Sequence, residues 1–388
     1  IRLFYTIIFN GGILMNGRKV LVTGSNGFLA RETIKQLYEK GAKVGATSLE
    51  DRPLYAMPPG TEYVQANFTN PEDVRKLFEG RGIDDVVHHA ALFSLSATPE
   101  MLRKVNVIGT QRLLEGAVES DVKNFVATSS GTVYKGGKKN INEWDELKPC
   151  EVYGQSKLEQ EDVVEDYMGM ATKSGRLKCA IVRPAVIMGP ESRYGGQVAL
   201  FTHYLMGSLF QGMTAVPGDG NTELCFVHVE DCAALHIYML DKELTDSNPH
   251  KYPKHVFNAV DRSHLTNNEL ADLVLSETRL PKYRSLLLGK KLPLPEAPSK
   301  WLSKYNDRLI NWLKENNYPV PTVSLDSGSV ELMFAGHVSM STQKAIDAGF
   351  EHRHPYGEVW MREIIRHNID TNWERLLGEK LSKLCRLL

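Results

Sequence analysis

The chain has 388 residues, 42% of them hydrophobic and 24% charged, which is enough for one large domain and a smaller one. Lys and Arg number 46 against 47 Asp and Glu, and the resulting formal net charge of -1 favours a small-molecule partner over nucleic acid. The five cysteines form no C-x-x-C pair, so we expect reduced thiols, a cytoplasmic protein and no metal site.

Residues 1–14 are apolar apart from Arg2 and precede Met15. This stretch is too short to cross a bilayer and lacks a small-residue cleavage site. We therefore expect Met15 to be the natural start and residues 1–14 to lie outside the native fold.

The segment 19–30 predicts a buried strand, a glycine-bearing turn and the first turn of a helix. Gly24 can adopt a backbone conformation closed to other residues, and Gly27 lets backbone amides approach a pyrophosphate. The free N–H groups of the helix that begins near Phe28 favour the same anion. Ala30 stands where the third glycine of the dinucleotide fingerprint is usual. Such a turn alone is about as often an ordinary connection as a cofactor loop, so its context has to decide.

Strand-like and helix-like segments alternate after this turn. The expected strands are 43–47, 63–65, 85–91, 124–128 and 178–183, and the expected helices are 28–40, 70–79 with Asn70 as its cap, 99–120 and one that begins near Tyr153. This alternation predicts an α/β fold with a doubly wound parallel sheet. Ligands of such folds bind in the crevice at the carboxyl ends of the strands.

Tyr153 and Lys157 are four residues apart and therefore share one face of their helix. An adjacent ammonium stabilises a phenolate and would let Tyr153 act as a base near neutral pH. On its own the pair is more often a surface contact. The position of the pair favours a catalytic role. The preceding strand ends in hydroxyl residues from Thr128 onward, at the strand end where the ligand crevice is expected.

Two histidine-containing segments invite other interpretations. His88 and His89 resemble a metal pair, but neighbouring strand residues point to opposite faces and no third ligand is evident, so we expect packing roles. His228 and Asp231 are expected to make structural contacts at the start of a helix.

In its motifs the chain resembles the extended short-chain dehydrogenase/reductases of the NAD-dependent epimerase/dehydratase superfamily. Beyond the glycine turn and Tyr-x-x-x-Lys, the matching segments are 86–91, 105–110, 182–190, 218–220 and 226–231, in the family's order. The last segment and the C-terminal region are most similar to the 3β-hydroxysteroid and sterol-carboxylate dehydrogenase branch.

The resemblance implies a Rossmann domain from residues 15–190 and 226–260. A smaller substrate-binding domain, interleaved in sequence, would comprise residues 191–225 and 261–388 and include the C-terminal helices.

The resemblance also implies a set of cofactor-binding residues in the glycine turn, at the strand ends and after the sixth strand. They are Gly24, Asn26, Gly27, Phe28, Leu29, Ser48, Arg52, Asn67, Phe68, Ala90, Ala91, Thr128, Tyr153, Lys157, Pro184, Val186 and Ile187. Asn67-Phe68 stands where the family usually has Asp-Leu beside the adenine.

For catalysis the resemblance implies that Tyr153, as phenolate, takes a proton from a secondary alcohol while hydride passes to the nicotinamide. Lys157 would lower the tyrosine pKa and bind the ribose, and Ser130 with Thr132 would hold the substrate oxygen. Asn106 matches the family's asparagine in the helix behind the site.

The cofactor is expected to be NAD(P), with a modest preference for NADP. NAD-preferring relatives carry a carboxylate at the end of the second strand, and that position here is Ser48. Thr47 and Ser48 would admit a 2′-phosphate, and Arg52 could pair with it. Glu50 and Asp51 follow at once, so a shift of two residues in this loop would restore the NAD pattern.

Three functions remain open. The leading hypothesis is an NAD(P)-dependent oxidoreductase acting on a secondary alcohol or ketone of an apolar, steroid- or isoprenoid-like substrate. The alternatives are a nucleotide-sugar epimerase or dehydratase and a non-catalytic NAD(P)-sensing protein. Many sugar-nucleotide members carry Arg-Asp where this chain has Leu224-Cys225, although Arg193 could substitute. Retention of Tyr153 and Lys157 argues against a purely sensing role.

The predicted substrate region contains three stretches of ambiguous character. Residues 194–218 contain no Asp, Glu, Lys or Arg. Within them we expect 198–210 to form a buried helix rather than a membrane-facing one. Segments 282–321 and 373–388 mix apolar and basic residues, so they could lie on a membrane surface or dock on the protein. Homodimer formation is also left open.

Overall fold

The computed structural model describes residues 15–93, 97–190, 192, 215–216, 220–240, 255–278, 286–287 and 338–371. The strands are β1 Lys19–Thr23, β2 Lys43–Ser48, β3 Glu62–Gln65, β4 Asp85–His88, β5 Asn124–Thr128, β6 Lys138–Ile141, β7 Lys178–Pro184, β8 Val186–Met188, β9 Ala215–Val216, β10 Glu223–His228, β11 Val256–Ala259, β12 His264–Thr266, β13 Leu286–Leu287 and β14 Val338–Met340. The helices are α1 Phe28–Glu39, α2 Pro71–Phe78, α3 Pro99–Leu102, α4 Gly109–Glu119, α5 Val152–Tyr167, α6 Val229–Met239, α7 Asn267–Thr278, α8 Gln343–Asp347 and α9 Gly357–Thr371.

The central sheet has seven strands in the order β11-β7-β5-β4-β1-β2-β3, and each neighbouring pair is parallel. The chain adds strands outward from β1 on one side and then returns to add the rest on the other. This is the doubly wound Rossmann-like arrangement predicted from the sequence, and its switch point lies between β1 and β4.

Helices cover both faces of this sheet because successive residues of a strand point in opposite directions. Val20 and Val22 of β1 belong to a buried cluster that includes residues of α1 and α6. Leu21 belongs to the opposite cluster, which includes residues of α2, α4 and α5. As expected, the Asn70 side chain caps α2 by accepting from the Glu72 N–H at 3.1 Å.

A second sheet has the strand order β12-β10-β14-β6, with β8 also paired to β10. β6 was not expected, because its first three residues are exposed and polar and only Ile141 is buried. It forms through parallel pairing with β14, which lies far away in sequence. The predicted boundary between residues 225 and 226 falls inside β10, so this strand spans the two expected domains.

The single helix expected over 99–120 is interrupted. After α3, residues Arg103–Ile108 form a π-helical turn, and α4 follows directly. Hydrophobic spacing does not register a local widening of this kind. The turn contains Asn106, whose side chain is fully buried.

None of the helices in the described residues is long and apolar enough to cross a membrane. The predicted helix at 198–210 and the segments at 1–14 and 373–388 lie outside the described residues, as does 282–321 apart from β13.

Candidate active site

The glycine turn after β1 lies directly against the loop after β4. Gly24 has φ +66, and a Cβ atom there would stand 2.8 Å from the Cα of Ala90. Only glycine combines this left-handed backbone with so close an approach. The Ala90 N–H also donates to the Thr23 hydroxyl at 3.1 Å, and Ala91 follows in the same partly exposed loop.

The N-terminus of α1 is suited to an anion. Its cap residue is Gly27, which supplies no side-chain cap, and its first turn carries no acidic residue. The hydroxyls of Ser25 and Thr47 beside the turn are buried and have no hydrogen-bond partner among the described residues. Free amides, orphan hydroxyls and a positive helix end fit the pyrophosphate of a dinucleotide. Phe28 and Leu29 open this helix, as expected.

The loop after β2 folds back onto the glycine turn through Asn26. The Asn26 amide nitrogen donates to Glu50 Oε2 at 2.8 Å and to the Arg52 carbonyl at 3.4 Å, and its oxygen accepts from the Leu54 N–H at 3.0 Å. Hydrogen bonds from the Ser48 hydroxyl and the Asn26 amide lower the pKa of the Glu50 carboxyl. A carboxylate therefore does stand at the end of β2, although it is not at position 48.

Asn67 and Phe68 do not point freely toward a ligand. The Asn67 oxygen accepts from both the N–H and the hydroxyl of Thr69, at 3.0 and 2.8 Å. Phe68 is 8% exposed and its ring lies edge-on to His88, with centroids 6.2 Å apart. A local turn thus uses both lone pairs of the Asn67 oxygen, and the assignment of Asn67 to the adenine stays a prediction.

Helix α5 presents the tyrosine and the lysine on one buried face, as their spacing predicts. The Glu151 carboxylate caps the helix by accepting from the N–H groups of Tyr153 and Gly154, each at 2.6 Å. Tyr153 is 7% exposed, and its ring meets that of Phe93 edge-on at a centroid distance of 4.9 Å. Among the described residues its hydroxyl makes no hydrogen bond, which leaves it available to a substrate.

Lys157 does not act on Tyr153 in the expected way. Its Nζ donates to the Thr128 carbonyl at 2.6 Å and to the side-chain oxygen of Gln160. Burial, and to a lesser extent the Glu151 carboxylate, raises the pKa of Tyr153 above its usual range. Burial also lowers the pKa of Lys157 to about 7. In this arrangement desolvation dominates and the pKa of Tyr153 is raised, so the expected lowering of the tyrosine pKa by Lys157 stays a prediction.

The loop that follows β5, here called the β5 loop, begins at Ser129. Its two candidate hydroxyls, those of Ser130 and Thr132, lie beside the start of α5. Ser130 Oγ accepts from the N–H of Thr132 at 3.2 Å and from its hydroxyl at 3.0 Å. A Cβ atom on Gly154 would stand only 2.7 Å from the Thr132 carbonyl oxygen. This close approach brings Ser130 and Thr132 to the helix turn that carries Tyr153.

The β5 loop packs against two other segments, the end of β7 and β14. A Cβ atom on Gly131 would stand 3.2 Å from the Pro184 carbonyl oxygen and 2.7 Å from the sulfur of Met340. Pro184 ends β7, and the expected cofactor residues Val186 and Ile187 follow in β8, both partly exposed.

Asn106 holds the site together rather than facing into it. Its amide exchanges hydrogen bonds with the backbone N–H and carbonyl of Leu92, at 2.7 and 3.1 Å, and donates to Ser156 at 3.0 Å. Ser156 in turn donates to the Tyr153 carbonyl at 2.7 Å. The residue therefore ties the β4 loop to α5, which is a positioning role.

His88 and His89 are hydrogen-bonded core residues. His88 bridges Thr23 and Thr110 at 2.8 and 2.9 Å, and His89 bonds the Thr128 hydroxyl at 2.7 Å. Burial lowers the pKa of both histidines, so both are neutral near pH 7. Sequence reasoning missed His236, which bonds the same Thr128 hydroxyl at 2.9 Å.

A buried ion pair lies behind the site and was also missed. Arg183 of β7 forms a two-point contact with Glu161 of α5, at 2.9 and 2.6 Å, and the side chains are 3% and 4% exposed. Glu161 also accepts from Ser129, and Arg183 donates to the Tyr134 hydroxyl at 2.9 Å. The available signal was an arginine within the apolar run that follows Lys178 in β7.

A third polar cluster contains His228, Glu230 and His354, whose potential ligand atoms lie within 4.8 Å of one another. His228 Nδ1 accepts from the Glu230 N–H at 3.2 Å, and the Glu230 carboxylate pairs with Arg353 at 2.7 Å. Asp231 accepts from the N–H groups of Arg353 and His354, each at 2.8 Å. These are the structural contacts expected at this helix start.

Comparisons with known proteins agree with the fold described above. Residues 20–256 match the model of the NAD dependent epimerase/dehydratase family. The chain is 34% identical over 183 residues to a 3-beta-hydroxysteroid dehydrogenase of Mycolicibacterium neoaurum, covering 44% of this chain and 48% of that protein. It is 30% identical over 241 residues to the decarboxylating sterol-4-alpha-carboxylate 3-dehydrogenase of Candida albicans, covering 59% of this chain and 66% of that protein.

The chain thus spans 48% and 66% of the lengths of these two curated relatives. Among solved structures, the NAD complex of the Thermus thermophilus UDP-glucose 4-epimerase aligns with a TM-score of 0.62 at 21% identity, covering 91% of this chain and 98% of that one. At that identity the likeness shows the fold.

Proposed function

The chain belongs to the NAD-dependent epimerase/dehydratase family, and on that premise we propose that it is an NAD(P)-dependent oxidoreductase. Its reaction would transfer hydride between the nicotinamide and a secondary alcohol or ketone of an apolar, steroid- or isoprenoid-like substrate.

The observation that carries this proposal is the unbonded hydroxyl of Tyr153 next to the Ser130–Thr132 loop, at the carboxyl ends of the parallel strands. Bound NAD(P) would supply the hydride acceptor or donor. Tyr153 would exchange a proton with the substrate oxygen, and the Ser130 and Thr132 hydroxyls would hold that oxygen. The raised pKa of Tyr153 keeps it protonated at neutral pH, which is the form needed to protonate a ketone oxygen during reduction.

An apolar substrate is supported by the side chains around the tyrosine. Phe93 packs against the Tyr153 ring and is 50% exposed, so it offers an aromatic surface next to the reacting group. Leu224 and Cys225, where many sugar-nucleotide enzymes carry Arg-Asp, are 7% and 4% exposed and cannot pair with a diphosphate. The two curated relatives named above act, by their names, on steroid or sterol compounds.

The test is a substrate screen with purified protein and each nicotinamide cofactor. We expect a change in nicotinamide absorbance with hydroxysteroids or prenyl alcohols and none with sugar nucleotides. Conversion of a UDP-sugar to its epimer without net absorbance change would replace this proposal by the epimerase alternative. Cofactor binding without turnover on all three classes would favour the sensing alternative.

We propose further that NAD is the preferred cofactor, in place of the NADP preference expected from Ser48. The Glu50 carboxylate is ionised and is held on Asn26 of the glycine turn. A carboxylate at the end of the second strand accepts bonds from the ribose hydroxyls and repels a 2′-phosphate. The hydrogen bond between Asn26 and Glu50 supports the two-residue shift that the sequence left open.

Replacing Glu50 by Gln should move the preference toward NADP by about tenfold, which corresponds to about 1.4 kcal/mol. The measurement is the ratio of the NADH and NADPH dissociation constants, which requires no knowledge of the substrate. Asp51→Asn is the matched control, because it removes a neighbouring carboxylate that makes no contact with Asn26. A wild type that prefers NADPH, with a ratio that Glu50→Gln leaves unchanged, would return the choice to Ser48.

A further inference from the structure

Lys157 is the most buried cation beside the proposed active site, with 1% of its surface exposed. An ammonium has three N–H donors. Two are used by neutral oxygens, the Thr128 carbonyl and the Gln160 side-chain carbonyl. The third donor remains for a ligand, because the described residues offer it no further bond.

The orientation of the Gln160 amide follows from its other partner, Thr110. The Thr110 hydroxyl donates its single proton to the Asn106 carbonyl at 2.6 Å. It can therefore only accept from Gln160, whose Nε2 lies 2.8 Å away. With the nitrogen fixed on Thr110, the oxygen of Gln160 must face Lys157.

The hydrogen bonds continue from Thr110 to the carboxyl end of β1. Thr110 also accepts from His88 Nε2 at 2.9 Å, so this nitrogen carries the proton and Nδ1 accepts from the Thr23 hydroxyl at 2.8 Å. Thr23 in turn accepts from the Ala90 N–H. Each of these groups has one consistent donor or acceptor role, and a connected buried network of this kind holds its members in place.

We propose that Gln160 is a positioning residue that aims the Lys157 ammonium at the bound nucleotide and keeps it protonated. This inference rests on the proposed function, since the nucleotide is the ligand that Lys157 would meet. Gln160 does not touch the reacting atoms. It acts through Lys157, whose charge it stabilises with an oxygen held in place by Thr110.

The protonation of Lys157 is sensitive to the hydrogen-bond acceptor that Gln160 provides. Burial lowers the pKa of Lys157 to about 7, while the Glu161 carboxylate one turn further along α5 opposes that shift. The remaining titratable neighbours, Tyr153 on α5 and His88 and His89 at the end of β4, are neutral near pH 7 because burial shifts the pKa of each. Loss of one acceptor would therefore change the protonation of Lys157 within the working pH range.

The experiment compares Gln160→Leu with Gln160→Glu in the full chain. NADH affinity is measured by fluorescence titration from mildly acidic to alkaline pH, and it should fall as Lys157 loses its proton. Gln160→Leu removes an acceptor and should move this midpoint to lower pH, whereas Gln160→Glu provides an anionic acceptor and should move it to higher pH, each by about one unit or more.

Gln155→Leu and Gln155→Glu are the matched controls, because Gln155 lies exposed on the same helix. They should leave the midpoint where it is in the wild type. Opposite shifts in the two Gln160 variants support the inference, since general damage to the fold would move both in the same direction. Shifts in one direction, or midpoints equal to those of the controls, overturn the inference while the proposed function stands. A wild type that binds no NADH at any pH overturns both.

Discussion

Replacing Tyr153 by Phe is expected to lower kcat by about a thousand-fold while NADH still binds with nearly wild-type affinity. The substitution removes only the hydroxyl, which makes no hydrogen bond among the described residues. The stability of the fold should therefore be unchanged. The buried ring and its contact with Phe93 remain. The measurements are steady-state turnover on the substrate found by the screen and an NADH titration.

Tyr167→Phe is the matched control, since Tyr167 ends the same helix and its hydroxyl bonds the exposed Glu115. It should leave kcat unchanged. Lys157→Ala should lower both turnover and NADH affinity, because this side chain is assigned to the nucleotide. Retention of most of the wild-type kcat by Tyr153→Phe would remove Tyr153 from the mechanism.

Replacing Glu161 by Gln is expected to lower the free energy of unfolding by about 3–5 kcal/mol. Both members of the pair with Arg183 are almost fully buried, at 3% and 4% side-chain exposure. The variant would leave the buried guanidinium without the carboxylate that bonds it directly. The pair joins α5 to β7, so its loss should also loosen the helix that carries Tyr153.

The free energy is measured by urea denaturation of the variant beside Glu159→Gln. Glu159 lies on the same helix, but its contact with Arg103 is 3.5 Å long and its side chain is 36% exposed, so its replacement should cost about 0–1 kcal/mol. If the two variants lost the same free energy of unfolding, the buried pair with Arg183 would contribute no more to stability than the exposed contact of Glu159.

Sequence reasoning succeeded where the deciding interactions are local. The glycine turn, the Asn70 cap and the shared face of Tyr153 and Lys157 each depend on residues within a few positions of one another. The doubly wound parallel sheet followed because β-α alternation leaves few ways to build a sheet. These features were predicted from spacing and residue type.

The failures involve partners that are distant along the chain or reached through a loop. Spacing placed Lys157 beside Tyr153 but could not show that its ammonium would bond Thr128 and Gln160. Counting along β2 led to Ser48 and could not show that Asn26 holds Glu50 beside the glycine turn. The polar strand β6 needed β14 to exist at all, and no local pattern announces such a pairing.

The contact between Gly131 and Met340 has a consequence for the order in which the chain can fold during synthesis. Met340, against which Gly131 rests, belongs to β14, and the N–H of Asn140 in β6 donates to the neighbouring Ser339 at 2.9 Å. A nascent chain that has emerged from the ribosome only as far as β11 already carries Ser130, Tyr153 and Lys157. It still lacks the strand on which the loop after β5 lies, so we expect Ser130 to reach its final position only after β14 has been synthesised.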